Sequence, residues 1–478
     1  MSIRLHNTLT RRIEEFRPAV PGEVRMYNCG PTVYSSPHIG NFRSFLLGDL
    51  LRRFFEWKGL KVRQVMNLTD VGHLLDDAEE GEDKLEAAAR KAKVSAWELA
   101  ERYIAEFFAA LDYLSFRRAE SYPRATAHVP EMIAMIETLV AKGIAYTAPT
   151  GNVYYDLSRF KAYGRLSGNT GESLEAGARV EINPEKRDPR DFALWKVDPR
   201  HQMQWDSPWG RGFPGWHIEC SAMSKKYLGE TLDVHTGGED NVFPHHECEI
   251  AQSEAANGKP FVRHWLHARH LLVDGVKMSK RLGNLHTIED LKQKGYHADA
   301  IRVALQKSHY REPLNFTFDG LAEAEKKVAR YRDLAERLER AAAGSGPDGS
   351  TLASLVAELR ARFEAALDDD LNVSVAFAAL DETVSEGNRR ALEGAQAAAL
   401  LELLRGMWSV FGLLESAPAA ELADEAILAL VRARDEARQR RDFKRADEVR
   451  DLLKAQGIEL LDGKDGVRWR RIRREKRE

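Results

Sequence analysis

The stretch from Val24 to Leu68 constrains this chain more than any other. A β-prone run, Val24–Cys29, is stopped by Gly30-Pro31. From Ile39 to about Trp57 the apolar residues Ile39, Phe42, Phe45, Leu46, Leu50, Phe54 and Phe55 recur at the spacing of one helix face. Gly59 follows as a helix stop, and Lys61–Leu68 reads as a second strand. Strand, loop, helix and strand in this order form a βαβ unit, the building block of parallel sheets. Ligands of such sheets bind in the crevice beyond the carboxyl ends of the strands, where Cys29 and its following loop fall.

The chain has 478 residues, enough for several domains. With 43% hydrophobic and 30% charged residues its composition is that of a globular protein, and it excludes wholesale disorder and collagen. No apolar run approaches the roughly 18 residues a membrane helix needs, so no membrane role is expected. Met1–Arg12 lacks the apolar core of a secretory signal. Three cysteines in so long a chain make no disulfide framework, and a cytoplasmic enzyme is expected. Residues 121–213 are irregular, with Pro, Gly and Asn punctuation, and read as an insertion; strand and helix signals return after Gly215. Beyond Leu321 the chain is helix-rich, with a Gly/Ser/Pro break at Ala341–Ser350 and helical spacing over Leu355–Leu367 and Ala398–Leu414. Residues 431–478 hold 17 basic against 11 acidic side chains, whereas the remainder carries a net charge of −9. A basic end on an acidic body points to a polyanionic partner there, with a solvated charged helix as the competing reading.

Two short elements carry candidate phosphate chemistry. Pro37-His38-Ile39-Gly40-Asn41 lies at the start of the first helix, where free N–H groups and the dipole favour anions and Gly40 permits close approach. Lys277-Met278-Ser279-Lys280-Arg281 follows the short run Leu271–Asp274 and makes a basic loop able to clamp a polyphosphate. Either element alone is commonly structural; together they favour a nucleotide site. Cys29, Cys220, His245 and Glu249 are scattered, without a CxxC pair. His245 and Glu249 share one face if helical, yet spacing alone leaves buried free cysteines and a helix-surface pair as the commoner outcome.

The two elements resemble the His-Ile-Gly-His and Lys-Met-Ser-Lys-Ser signatures of class I aminoacyl-tRNA synthetases. The wider context is similar to the cysteinyl-tRNA synthetase family: Tyr27–Tyr34, Gly215–Met223, His235–Asp240 running into Phe243–Glu247, Ala366–Asn372 and Gly466–Arg471. The resemblance implies an α/β protein: a parallel-sheet Rossmann-type catalytic domain with an insertion, then a helical bundle and a small C-terminal anticodon-binding unit. The expected boundaries are 1–120 and 214–320 for the two catalytic halves, 121–213 for the insertion, 321–420 for the bundle and 421–478 for the basic C-terminal unit.

It further implies ligation of L-cysteine to tRNA(Cys) through cysteinyl-adenylate, with ATP and its Mg²⁺ as substrate and one Zn²⁺ per chain; a monomer is expected. His38, Asn41, Lys277 and Lys280 would act on the phosphates, with Gly40, Gly237, Gly238, Asp240 and Lys280 binding ATP. Cys29, Gly30, Thr32, Trp216 and His235 would line the amino-acid pocket. Cys29, Cys220, His245 and Glu249 match the zinc ligands of that family, and Arg438, Phe443, Asp447 and Asp462 its anticodon contacts.

A metal that prefers a thiolate to a hydroxyl supplies the choice of cysteine over serine that pocket size cannot, since a methylene is worth only about 1–3 kcal/mol. The chain departs from the family at Asn41, for the second signature histidine; at Arg281, for serine; at Phe443, often tryptophan; and at Cys248, commonly asparagine and read as a bystander. Altered ATP handling with retained activity is expected. Rival readings are a cysteine-to-amino-sugar ligase, which would lack the C-terminal third, and a tRNA-binding paralogue with a weakened site, which Asn41 alone favours.

Overall fold

The computed structural model describes residues 2–72, 83–169, 183–279, 282–415, 431–432, 434 and 449–450, and the backbone of 458–463 and 466–471. The chain divides into two compact units, Met1–Leu413 and Leu414–Glu478. The expected βαβ unit is present: β1 (Glu23–Asn28), α1 (Ile39–Trp57) and β2 (Lys61–Met66), with β1 and β2 parallel and in register from Glu23↔Lys61 to Asn28↔Met66. Gly59 closes α1 at φ 79°, a conformation side chains rarely adopt. After the insertion, α2 (Trp216–Leu228) leads to β3 (Leu232–Gly238), and α3 (Glu247–Asn257) to β4 (Val262–Ala268). All four strands are parallel, in the order β4-β3-β1-β2. The chain therefore leaves β1 toward β2 on one side and returns to β3 on the other, and the crevice opens beyond Asn28 and Gly238 at that switch point.

The insertion is more ordered than its composition predicts. It contains a helix, Val129–Ala141, and a four-stranded antiparallel sheet of Ala145–Thr147, Val153–Tyr155, Phe192–Lys196 and Phe213–Pro214. Strands of two to five residues are too short to display period-two alternation, and tertiary packing of Tyr155, Phe192, Leu194 and Trp195 around Ile136, Leu139, Ile218 and Met223 decides them.

Beyond β4 a three-stranded sheet carries the basic loop: Leu271–Val273 pairs antiparallel with Val276–Lys277 and parallel with Leu314–Phe316. Four helices follow, α4 (Phe318–Ala342), α5 (Ser350–Asp368), α6 (Val373–Arg389) and α7 (Gly394–Phe411). They form a bundle in which α7 also packs on α1. In the second unit, Ile458–Gly463 and Gly466–Arg471 pair as an antiparallel hairpin. No described helix is long and apolar enough to cross a membrane.

Candidate active site and metal centre

The crevice is built by residues of four elements. Cys29 follows β1, Cys220 lies on the first turns of the buried face of α2, His235 sits in the middle of β3, and His245 and Glu249 flank the start of α3. The ligating atoms of Cys29, Cys220, His245 and Glu249 all lie within 4.8 Å of one another. The distant cysteines and the i, i+4 pair are thus brought together. His245 does not lie in α3 itself: it belongs to the preceding turn Val242–His246, which carries non-helical Phe243, and its Nε2 still comes within 3.2 Å of Glu249 Oε1.

The donor chemistry fits a cation. Glu249 Oε1 is fully buried and accepts no hydrogen bond, while Oε2 pairs with His235 Nε2 at 3.0 Å. The Cys220 thiol is held well above its ordinary pKa by its hydrogen bond with Cys29, burial and the nearby Glu249 carboxylate. The bond with Cys220 lowers the Cys29 pKa, but burial, Glu249 and Asp240 outweigh it, and the net shift is upward. A pair of thiols kept protonated beside an unsatisfied carboxylate is the donor set that a divalent, thiophilic ion would deprotonate and satisfy.

A residue that sequence reasoning missed lies in the same cluster. His246 Nε2 is 3.1 Å from Cys29 Sγ, and Cys29, His235, His246 and Glu249 form an alternative donor set of the same compactness. Its Nδ1 contacts His267 Nε2 at 2.8 Å, and His267 Nδ1 in turn meets Thr8 Oγ1 at 2.8 Å. Burial, reinforced by His235, His267, His245 and His217, holds His246 well below the usual imidazole value. Burial and His235 bring His267 down to about 3. Both rings are neutral, so each can donate from one nitrogen and accept at the other. The His245-His246 doublet was the available signal, but only the fold separates the two roles. Cys248 is buried against Tyr163 Oη at 3.4 Å and stands outside both donor sets.

Around this centre, Trp216 stacks on His245 with ring centroids 4.6 Å apart, and buried His235 stacks on Trp265 at 4.7 Å. Gly30 donates its N–H to Asn67 Oδ1 at 2.9 Å and lies so close to the Asn67 carbonyl that no Cβ fits. Thr32 and Trp216 line a cavity of about 110 Å³ together with Tyr34, Thr69, Lys84 and Leu85.

The two phosphate-binding candidates meet. A Cβ on Gly40 would lie 2.5 Å from Met278 Cε, so the basic hairpin rests directly on the N-terminus of α1. Ile39 N donates to His286 O at 2.9 Å, fixing the same contact from the far side of the loop. His38 and Asn41 form a reciprocal capping box: His38 Nδ1 accepts from Asn41 N at 3.3 Å, and Asn41 Oδ1 accepts from His38 N at 3.0 Å. Asn41 therefore has a helix-starting role not foreseen from its replacement of a histidine. Gly237 and Gly238 end β3, with Gly238 N donating to Asn241 Oδ1 at 2.9 Å, and Asp240 follows, exposed at the rim. Lys277 is exposed on its strand, whereas Lys280 and Arg281 lie outside the described residues. So do Arg438, Phe443 and Asp447; Asp462 is placed only by its backbone, opposite Val467 in the hairpin.

A parallel sheet with a switch-point crevice, a helix N-terminus and a basic hairpin across it defines the class I aminoacyl-tRNA synthetase fold. The solved methionyl-tRNA synthetase of Mycobacterium tuberculosis superposes with a TM-score of 0.58 at 14% identity, over 82% of this chain and 89% of that one. The LeuRS of Agrobacterium radiobacter K84 does so at 0.58 and 13%, over 93% and 95%. At such identities these likenesses establish the fold alone. Residues 15–326 match the family described as tRNA synthetases class I (C) catalytic domain, and residues 362–415 match the DALR domain. A cysteine--tRNA ligase of Thermus thermophilus is 45% identical over 98% of this chain and 99% of its own length, and that of Caldicellulosiruptor saccharolyticus 44% identical over 98% and 100%. The chain belongs to the cysteine--tRNA ligase family.

Proposed function

We propose that the chain activates L-cysteine with ATP to cysteinyl-adenylate and transfers it to the 3′ end of tRNA(Cys). The observation that carries this reading is the convergence of Cys29, Cys220, His245 and the unsatisfied Glu249 Oε1 within 4.8 Å, beside the helix N-terminus of the nucleotide crevice. A zinc ion on these four residues would bind the substrate thiolate in preference to a hydroxyl or methyl and lower the thiol pKa. The chain's own groups do the rest. Trp216 and the Gly30–Thr32 loop wall the substrate, leaving its carboxylate free for in-line attack on the α-phosphate. His38 and Asn41, by hydrogen bonding, and Lys277 and Lys280, by charge, stabilise the α-phosphate and the departing pyrophosphate, which enters with Mg²⁺ as part of the ATP substrate. Gly40 lets ATP approach the backbone closely, and Gly237, Gly238 and Asp240 hold the nucleoside, the exposed Asp240 carboxylate suiting ribose hydroxyls. The DALR match and the basic balance of residues 431–478 support tRNA binding at that end, with Arg438, Phe443, Asp447 and Asp462 as base-reading positions. We place this work in the cytoplasm.

The test is cysteine-dependent ATP–pyrophosphate exchange on zinc-replete protein, with serine as control and without tRNA. Exchange with cysteine alone is expected, followed by charging of tRNA(Cys). Exchange without charging would move the reading to a ligase with another acceptor. No exchange in folded, zinc-bearing protein would leave a tRNA-binding paralogue.

A further inference from the structure

Arg43 is a buried cation on the second turn of α1, and no carboxylate is bonded to it among the described residues. Its guanidinium spends its donors on four backbone carbonyls: Nε on Arg269 O at 3.1 Å, Nη1 on Leu305 O at 3.1 Å, and Nη2 on His309 O at 3.0 Å and Glu312 O at 2.7 Å. Those carbonyls are not scattered. Arg269 lies two residues before Leu271–Val273, the first strand of the sheet that carries the basic loop, and Leu305, His309 and Glu312 lead into Leu314–Phe316, its parallel neighbour. The two segments are joined to each other as well, Arg269 N donating to Tyr310 O at 2.8 Å and Leu314 N to His270 O at 3.0 Å. Arg43 thus grips the root of the hairpin on both sides. It stands two residues from Asn41 and three from Gly40, against which the hairpin's Met278 is seated.

We propose that Arg43 is a positioning residue for the ATP step, setting the height of the Lys277 hairpin over the N-terminus of α1. A planar fork with five N–H groups suits this task better than an ammonium, because it fixes direction as well as distance to several acceptors at once. A carboxylate partner would compete for those donors; carbonyls from two chain segments make the side chain a brace. The inference rests on the reading of Lys277 as a phosphate contact.

The experiment is a double-mutant cycle in cysteine-dependent pyrophosphate exchange, using wild type, Arg43→Met, Lys277→Ala and the double variant, each carrying zinc. Arg43→Met is expected to lower kcat by about 10²-fold, the usual cost of misplacing a reacting group by about an ångström, with KM for cysteine unchanged. Arg43→Lys, which keeps the charge and the fold but loses the fork, is expected to be intermediate, and it takes the place of Arg43→Met in the cycle should that variant not fold. Because Arg43 acts through the hairpin, the double variant is expected to be no slower than Lys277→Ala alone. Multiplicative losses, or a loss confined to KM for cysteine, would overturn the proposal. An unimpaired Lys277→Ala would instead overturn the phosphate reading on which it rests.

Discussion

Two buried polar clusters in this protein differ in how far their hydrogen-bonding groups are satisfied. At the rear of α1, Asp49 lies between Arg53 and Arg302, all three almost wholly inaccessible. Asp49 Oδ2 accepts from Arg53 Nε at 2.8 Å and from Arg302, and Oδ1 accepts from Arg117 N at 3.0 Å. The remaining donors are taken by carbonyls: Arg53 Nη1 by Ser409 O, Arg302 Nε by Phe411 O and Arg302 Nη1 by Leu114 O. Both Asp49 oxygens are satisfied, and the cluster clamps the catalytic sheet's first helix to the end of α7. In the crevice, by contrast, Glu249 Oε1 has no hydrogen bond and the thiols beside it are pushed toward protonation. The joint is saturated, whereas the crevice leaves a buried carboxylate oxygen without a hydrogen bond beside two thiols, the donor set a cation would satisfy.

The largest effect expected from this contrast is on stability. Asp49→Ala leaves two buried guanidiniums without their counter-charge and should cost about 3–5 kcal/mol in denaturant unfolding, with the Cys29, Cys220, His245 and Glu249 cluster untouched. A cost below about 1 kcal/mol would show that the joint is dispensable.

Glu249→Gln should behave in the opposite way. Metal-free stability should move by less than about 1 kcal/mol, because the carboxylate oxygen it alters makes no hydrogen bond, while zinc affinity falls by at least about 10²-fold. Competition titration with a zinc chelator reads this directly, and an unchanged affinity would remove Glu249 from the ligand set.

Asn41→Ala opens the capping box and should cost about 1 kcal/mol by thermal unfolding. If pyrophosphate exchange falls much further than that loss of stability explains, Asn41 also touches the phosphates.

The smallest effect is a pH slope at a third polar group. His201 Nε2 lies 3.2 Å from Asp83 Oδ2, and its ring stacks on Phe213. Burial lowers its pKa, but the hydrogen bond and charge of Asp83, together with Glu86, outweigh this, and the net shift is upward. A pKa raised by folding means stability that is whole below the unfolded value of about 6.5 and is lost as pH rises through the folded value. Wild type should therefore lose a little stability as pH rises above about 6.5, and His201→Gln should flatten that part of the profile. A slope that survives the substitution would assign it to another group.

Legibility in the sequence followed the range of the interactions. The βαβ unit was readable because helix periodicity from Ile39 to Phe55 and the Gly59 stop are local properties, and α1 begins and ends where they place it. The insertion's sheet was not, since its short strands owe their existence to partners far along the chain. Each half of the site divides in the same way. The residue types of the candidate metal cluster were visible once the motifs were set beside a family pattern, yet spacing alone left Cys29 and Cys220, 191 positions apart, as ordinary buried thiols. His246 and Arg43 were invisible as actors, because a histidine doublet and an arginine on an amphipathic helix have no local property that marks their partners.

By itself the sequence determined the parallel-sheet unit, the helix-rich end, the uneven charge and the two phosphate-binding candidates, since these depend on neighbours within a few residues. Only the tertiary structure decided that Glu249 keeps one oxygen unsatisfied beside two thiols, that His38 and Asn41 cap each other, and that Arg43 braces the hairpin whose Met278 covers Gly40. Those facts depend on which atoms from distant segments share a buried space, and hydrogen-bond saturation is a property of that space and not of any stretch of chain.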